Sequence, residues 1–256
     1  MNINQVAAQL YTLRNFLQTP ADIADSMRKV RAIGYETVQI SGMGPIDAGD
    51  LMTILDGEGL TVCATHEDSQ KILQDPAWVA EKLHKMRCGH TAYPYPAGVT
   101  LNTLDDLKRF AAALNAAGKI LRDAGVQLSY HNHHMEFRHV EGRTILEQIY
   151  EMTDPLNLQG EIDTYWVQFG GGCPTDWCRK LRRRLPLLHM KDYMINQDNK
   201  PAYAEIGQGN LDWPIIISEA EKSGCKWFIV EQDECPRDPF ESLKMSFEHI
   251  RDNLCA

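Results

Sequence analysis

The sequence predicts an α/β fold in which eight strand-and-helix units close into a TIM-type barrel. Its 256 residues match the roughly 250 residues that such a barrel needs. Apolar runs of strand length alternate with amphipathic helical patterns, which indicates parallel strands joined by helices. No long linker or low-complexity segment interrupts the alternation, so we predict one domain over residues 1–256.

Eight segments have the composition of strands, with apolar and β-branched residues between turn residues. In chain order they cover residues 5–11, 37–40, 60–65, 89–93, 126–131, 158–163, 187–191 and 226–231. An open doubly wound sheet is the alternative, and it requires a glycine-rich phosphate-binding turn after the first strand. Tyr11-Thr-Leu-Arg14 contains no glycine at that place, so the barrel is favoured.

Helical patterns follow these strands. The clearest covers residues 103–124, where Thr103-Leu-Asp-Asp106 is an N-cap signature and Gly125 follows the end. Further helices are predicted at residues 20–33, 50–56, 75–86, 175–184, 211–224 and 239–253, with one starting at Glu141. Residues 169–174 and 192–209 are predicted to be loops.

The charge balance argues against a nucleic-acid partner. The net charge of −9 and pI near 5.5 do not provide the basic face that nucleic-acid binding needs. One basic run, residues 179–184, is interpreted as the solvated end of a helix, where positive charge suits the helix dipole.

The sequence also predicts a cytoplasmic protein without a membrane partner. No apolar run approaches the roughly 20 residues that span a bilayer, and the N-terminus lacks the features of a secretion signal. The seven cysteines are an odd number without CxxC spacing, which indicates reduced thiols. The sequence does not predict the oligomeric state, and a homo-oligomer is one of the alternatives.

Four later strand segments each end on a metal-binding type of side chain: His131, Asp163, His189 and Glu231. Carboxyl ends of barrel strands face one rim, so these side chains are expected to converge. Imidazole and carboxylate together suit one divalent ion such as Mn²⁺, Zn²⁺, Co²⁺ or Fe²⁺. Each has an ordinary structural alternative, since Asp163 alone would cap a helix, but four equivalent positions favour the metal.

The stretch Leu128–Phe137 contains three of the nine histidines and needs separate assignment. His131 is the last strand residue and is the predicted ligand. His133 lies on the same face by strand alternation, and we assign it with Glu136 to substrate contact, ligand orientation or proton transfer. His66 follows the third strand and is a candidate for the same rim.

These residues belong to an ordered set of motifs that resembles the sugar phosphate isomerase/epimerase group of the xylose isomerase-like barrels. The resemblance covers nearly the whole chain, through Gln9-Leu-Tyr-Thr-Leu-Arg14, Tyr130-His-Asn-His133 with Glu136-Phe137, Asp163-Thr-Tyr-Trp166-Val-Gln168, His189-Met-Lys-Asp192, Glu205-Ile-Gly-Gln-Gly209 with Leu211-Asp-Trp213, and Val230-Glu231.

The resemblance implies a four-ligand metal site at His131, Asp163, His189 and Glu231, and a carbohydrate-metabolising isomerase or epimerase. Many family epimerases have glutamate at the first ligand position, paired with the last as acid and base. This chain has His131 there, which leaves Glu231 as the best single base.

The expected reaction is deprotonation of a keto-sugar or related polyol to an enediolate. Glu231 or His133 would move the proton, and the Lys191 ammonium would stabilise the developing negative charge. Tyr11, His66 and Trp166 are expected to line the sugar pocket.

Three alternatives remain on the sequence alone. The first is a dehydratase or lyase that uses the same enediolate for β-elimination from a keto-inositol or keto-sugar. The second is a non-catalytic sugar-binding barrel. The third, an endonuclease-IV-like phosphodiesterase, is disfavoured because Trp166 stands where that branch implies a further histidine ligand.

Overall fold

A computed structural model describes residues 1–255, and the predicted closed barrel is confirmed. Eight parallel strands form it, in the order β1-β12-β9-β8-β5-β4-β3-β2. The strands are β1 (Val6–Gln9), β2 (Thr37–Ile40), β3 (Thr61–His66), β4 (His90–Tyr93), β5 (Gln127–His131), β6 (His139–Val140), β7 (Arg143–Thr144), β8 (Gln159–Asp163), β9 (Leu187–Met190), β10 (Asp192–Ile195), β11 (Pro201–Ala204) and β12 (Trp227–Val230).

Ten α-helices lie among residues 1–255 and surround the barrel. They are α1 (Pro20–Ile33), α2 (Ala48–Glu58), α3 (Ser69–Gln74), α4 (Pro76–Lys85), α5 (Leu104–Asp123), α6 (Ile145–Met152), α7 (Thr164–Phe169), α8 (Pro174–Lys180), α9 (Trp213–Lys222) and α10 (Pro239–Asn253). The predicted cap of α5 is present, because the Thr103 side chain accepts from Asp106 N and the Asp106 side chain accepts from Thr103 N.

Several segments differ from the sequence prediction. The helix predicted to start at Glu141 begins at Ile145, after the antiparallel β6–β7 hairpin, and α3 is an additional helix. The predicted loop at 192–209 contains the antiparallel hairpin β10–β11, in which Asp192 pairs with Ala204 and Ile195 with Pro201. The first strand ends at Gln9, and Leu10–Phe16 form a 3-10 helix whose start is capped by the Gln9 side chain. Cross-strand pairing determines the hairpins, and side-chain capping determines the start of the 3-10 helix. Neither interaction produces a periodic sequence pattern.

The barrel interior changes from apolar to polar towards its carboxyl end. A small buried cluster of Ala7, Cys63, Ala64, Leu187 and Ile229 fills part of the interior. A separate, larger apolar core includes residues from the strands and the surrounding helices. Gln9 and Gln39 pair in register and are fully buried, which places amide groups inside the barrel. The interior therefore offers polar contacts to the side chains at the carboxyl rim.

The basic run at 179–184 is only partly solvated, which corrects its interpretation. Arg184 is 8% exposed and donates to the carbonyl oxygens of Leu158 and Tyr150 at 2.7 and 2.6 Å. It therefore joins the segment before β8 to α6.

All seven cysteines lie within the described residues and are free thiols, as predicted. Within residues 1–255, no helix combines the length and apolar character needed to cross a bilayer.

Candidate metal-binding active site

The structure brings the four predicted strand-end ligands together at the carboxyl rim. His131 and Asp163 are the last residues of β5 and β8, His189 lies in β9, and Glu231 follows β12. One potential ligand atom from each lies within 4.8 Å of the others. Asp163 and His189 are in register across β8 and β9, and both are fully buried. Strand pairing, rather than loop conformation, therefore sets their positions.

A carboxylate that the sequence analysis did not assign lies next to this group. Glu161 is fully buried, and its Oε1 lies 2.5 Å from His66 Nε2, 3.1 Å from His189 Nε2 and 3.2 Å from His131 Nδ1. Its Oε2 accepts a hydrogen bond from Gln39 Nε2 at 2.7 Å. Strand alternation was the available signal, because Glu161 is two residues before Asp163 and therefore points to the same side.

Lys191 supplies a buried positive charge between three carboxylates. Its Nζ lies 2.7 Å from Glu231 Oε2, 2.9 Å from Asp163 Oδ2 and 2.9 Å from Asp233 Oδ2. Burial opposes the charged form, but Asp163, Glu231 and Asp233 outweigh it and hold the lysine pKa well above its usual value. Lys191 is therefore a cation on the floor of the site.

The two predicted histidine ligands have opposite protonation preferences in the metal-free protein. Burial lowers the pKa of His131 to about 3, with the neighbouring His189 acting in the same direction, so its ring is neutral. Burial also opposes charge on His189, but the carboxylates of Glu161 and Glu231 raise its pKa to about 10. A cation bound at His189 would therefore displace a proton from it.

The carboxylates of the predicted ligand set also differ. Burial raises the pKa of Asp163 to about 6, against the lowering effect of Lys191. Burial opposes charge on Glu231 as well, but Lys191 and His189 hold its pKa well below the usual range. Glu231 is therefore an anion at neutral pH.

This donor set fits a divalent ion. Two imidazoles and two carboxylates match the ligands that ions of intermediate hardness prefer. Asp163 Oδ2 is buried and has no well-aligned hydrogen-bond partner, although Lys191 Nζ lies 2.9 Å away. A buried carboxylate oxygen without a directed partner is expected where a cation binds.

A cavity of about 620 Å³ opens above the cluster. Seven predicted site residues line it: Tyr11, His66, His131, His133, Trp166, Lys191 and Glu231. Asp163 and His189 are fully buried and lie beneath the floor. The rim also carries four acidic residues outside the predicted site: Glu67, Asp68, Asp233 and Glu234.

Glu136 does not line the cavity. It is fully buried and accepts hydrogen bonds from Tyr130 Oη at 2.9 Å and from the backbone N of His133 at 2.8 Å. Of the roles predicted for Glu136, its contacts favour the orientation of His133 over direct contact with substrate.

His133 and Trp166 form an aromatic wall of the cavity. Their ring centroids are 5.5 Å apart, and Tyr95 meets His133 edge to face at 5.4 Å. Burial lowers the pKa of His133 well below its usual value, with His131 and Lys191 acting in the same direction. His133 Nδ1 and Trp166 Nε1 are buried and have no hydrogen-bond partner among the described residues. Both nitrogens therefore lie beneath the surface of the wall with their hydrogen-bonding capacity unused.

Comparison with protein families identifies the fold family. A model described as a xylose isomerase-like TIM barrel matches residues 27–253. The chain belongs to the xylose isomerase-like TIM barrel family.

One curated protein of related sequence is the inosose dehydratase of Clostridium tetani (strain Massachusetts / E88). It is 27% identical over 167 residues, which cover 59% of this chain and 55% of the relative. The match thus spans about half the length of the curated relatives.

Two solved structures of the same fold superpose over almost the whole chain. One is a sugar phosphate isomerase/epimerase from Parabacteroides distasonis ATCC 8503, with a TM-score of 0.83, 23% identity, and coverage of 98% of this chain and 95% of that one. The other is a xylose isomerase-like TIM barrel protein from Mycobacterium smegmatis in complex with magnesium, with a TM-score of 0.75, 15% identity, and coverage of 98% and 97%.

The relative from Clostridium tetani is named a dehydratase and the structure from Parabacteroides distasonis a sugar phosphate isomerase/epimerase. At 23% and 15% identity, the two solved structures establish the shared fold alone.

Proposed function

We propose that this protein is a divalent-metal-dependent enzyme that removes the proton next to the ketone of a keto-sugar or related polyol, with isomerisation or epimerisation as the outcome. The convergence of His131, Asp163, His189 and Glu231 beside the Lys191 ammonium, on the floor of an open cavity, carries the proposal. The proposal is supported by the proximity of candidate metal ligands, a buried cation and candidate proton-transfer groups.

His131, Asp163, His189 and Glu231 would hold the ion. When bound, a divalent ion polarises a carbonyl oxygen and stabilises the negative charge that develops on the substrate. Lys191 Nζ remains charged and would stabilise the same negative charge from the floor of the cavity.

Glu231 is the proposed base. Its Oε2 contacts Lys191 and His189, whereas its Oε1 makes no hydrogen bond among residues 1–255 and is available for a proton. Oε1 would take the proton from the carbon beside the ketone, and the C–H electron pair would form the C–C double bond of an enediolate. The neutral His133 ring lines the same cavity and is the second proton-transfer group. Proton return to the other face gives an epimer, and proton return to the neighbouring carbon gives an isomer.

The charge of the cavity favours a substrate without phosphate. Five carboxylates line it, from Glu67, Asp68, Glu231, Asp233 and Glu234. The two lining cations do not balance these five negative charges: Lys191 is paired with three carboxylates, and Arg14 lies over the Tyr11 ring at 4.5 Å. A phosphate dianion would be repelled, whereas sugar hydroxyls would find acceptors.

Dehydration is the second candidate, and the inosose dehydratase relatives favour it. The same base would form the same enediolate. A hydroxyl on the next carbon would then leave with a proton as water, and its C–O electron pair would depart with it. The two candidates therefore differ only in the step after proton removal.

The deciding experiment incubates the metal-reconstituted protein with a panel of keto-sugars and keto-inositols in D₂O. Deuterium on carbon without loss of water is expected for isomerisation or epimerisation. Loss of water with new ultraviolet absorbance would instead identify the dehydratase. If no compound of the panel shows deuterium uptake or elimination, the result would contradict the proposed enzymatic activity and favour a sugar-binding barrel.

Glu231→Gln should lower the deuterium exchange rate by at least about 10³-fold, because a general base and a charged ligand are lost together. Glu248→Gln makes the same chemical change on the exposed face of α10 and should leave the rate unchanged.

Asp163→Ala should lower the metal content measured by elemental analysis. Unchanged metal stoichiometry in this variant would argue against the proposed ligand set.

A further inference from the structure

The two proposed histidine ligands each turn one ring nitrogen towards Glu161. His189 directs Nε2 to Glu161 Oε1, while its Nδ1 lies 2.9 Å from Glu231 Oε2 and 3.9 Å from Asp163 Oδ2. His131 directs Nδ1 to the same Glu161 oxygen, which leaves its Nε2 as the nitrogen available to an ion. One carboxylate oxygen therefore contacts both rings from the side opposite to the proposed metal.

We propose that Glu161 is a positioning residue that keeps a proton on the inner nitrogen of both rings and so directs their outer lone pairs towards the cavity. The inference rests on the proposed metal site. An ionised carboxylate only accepts hydrogen bonds, so the ring nitrogen that faces it must carry the proton. The other nitrogen of a neutral ring then has the lone pair that binds a metal.

Gln39 and Gln9 restrict the same ring of His189. Gln9 Nε2 donates to Gln39 Oε1 at 2.8 Å, and Gln39 Nε2 donates to Glu161 Oε2 at 2.7 Å, so both ends of the Gln39 amide are committed. Gln39 Oε1 lies 2.6 Å from His189 Nε2. Both oxygens around that nitrogen are thus acceptors, which requires a proton on Nε2.

For His131, Glu161 is the one acceptor among the described residues that favours a proton on the inner nitrogen, Nδ1. Its Nδ1 contact is the longest of the three at 3.2 Å, and it is not well aligned as a hydrogen bond. His131 is therefore the ring whose tautomer should respond most when the carboxylate is removed.

The geometry is less suitable for Glu161 as a metal ligand. His66, His131, Glu161 and His189 form a second group with potential ligand atoms within 4.8 Å of one another. Glu161 Oε1 already contacts a nitrogen from each of the three rings. A positioning role accounts for these contacts without a second ion.

The test compares Glu161→Gln with Glu136→Gln by calorimetric titration with Mn²⁺ and Co²⁺. Both glutamates are fully buried, but Glu136 contacts Tyr130 and the His133 backbone and neither proposed histidine ligand. We expect about 10–100-fold weaker metal binding for Glu161→Gln, and a change of less than about threefold for Glu136→Gln. Equal affinities of Glu161→Gln and wild type would overturn the proposal. So would two ions per wild-type chain and one in Glu161→Gln, because Glu161 would then be a ligand.

A metal-free measurement separates this inference from the proposed function. Nitrogen-15 NMR of the metal-free wild type at pH 7 should show the His131 proton on Nδ1, and Glu161→Gln should shift it towards Nε2. A proton on Nε2 in the wild type would overturn the role of Glu161, even if the variant did not fold. A wild type that binds no divalent ion but shows the expected His131 tautomer would instead refute the proposed metal site.

Discussion

Asp192 shows how one side chain can organise a long connecting segment beside the candidate active site. It is fully buried and accepts hydrogen bonds from Gly207 N, Gly209 N and Trp213 Nε1 at 2.9, 3.2 and 2.8 Å. A Cβ on Gly209 would lie 2.3 Å from Asp192 Oδ1, so glycine allows this approach. The motifs His189-Met-Lys-Asp192 and Glu205–Gly209 therefore contact each other through these hydrogen bonds. The contact holds the two ends of the segment that follows Lys191 together.

Replacing Asp192 by asparagine should be strongly destabilising. The asparagine has one acceptor oxygen, and its NH₂ group would face backbone N–H donors. We expect Asp192→Asn to lower the free energy of unfolding by about 3 kcal/mol, measured by urea denaturation. Asp212→Asn is the control, because Asp212 caps α9 and asparagine is an equally good N-cap. A similar small change in both variants would contradict this account of Asp192.

At the scale of elements, α5 packs against the segment after α6 through a glycine. A Cβ on Gly118 would lie 2.0 Å from the carbonyl oxygen of Asn157. Asn115 fixes the same contact, since its side chain donates to Met152 O at 3.1 Å and accepts from Asp154 N at 2.8 Å. A helical glycine is intrinsically unfavourable, so close backbone approach explains this one.

Gly118→Ala should therefore lower the free energy of unfolding by about 1–3 kcal/mol, because the backbone of Asn157 must move. Gly57→Ala in α2 is the matched control, since a Cβ there meets no atom within 4 Å. It should raise stability by about 0.5–1 kcal/mol through helix propensity. Thermal or urea unfolding measures both, and stabilisation by Gly118→Ala would show that the packing is loose.

At the scale of the whole molecule, buried charge is concentrated at the carboxyl rim, while a neutral histidine lies in the β4 strand. Burial lowers the pKa of His90 to about 4, with Lys226 acting in the same direction. Below a pH of about 6.5 the unfolded chain binds a proton at this histidine. The folded chain does not until the pH reaches about 4. The stability that His90 contributes is therefore present above this window and is lost as the pH falls through it.

We expect His90→Gln to reduce the loss of unfolding free energy between pH 7 and pH 4.5, measured by urea denaturation at both values. His139→Gln, which replaces an exposed histidine on the β6–β7 hairpin, should retain the wild-type loss. An identical pH dependence in all three proteins would show that His90 does not contribute.

The sequence predicted the candidate metal ligands only where a metal-binding type of side chain stands at the end of a strand. His131, Asp163, His189 and Glu231 stand at strand ends, and barrel closure brings strand ends together whatever the loops do. Lys191 was assigned from its neighbourhood in the sequence, but its three carboxylate partners were not. The direction of Glu136, which faces Tyr130 rather than the cavity, depends on how residues 134–137 turn.

The sequence by itself determined the eight strand-and-helix units, the cap of α5 and the strand ends where metal-binding side chains meet, because periodicity, capping and strand polarity are local properties. Only the tertiary structure decided the position of Glu161 beneath two histidines, the β10–β11 hairpin and the acidic rim of the cavity. Glu161 and Gln39 are separated by 122 residues in the chain and by 2.7 Å in the fold. Contacts of that range arise from barrel closure, which brings together side chains that no sequence window contains.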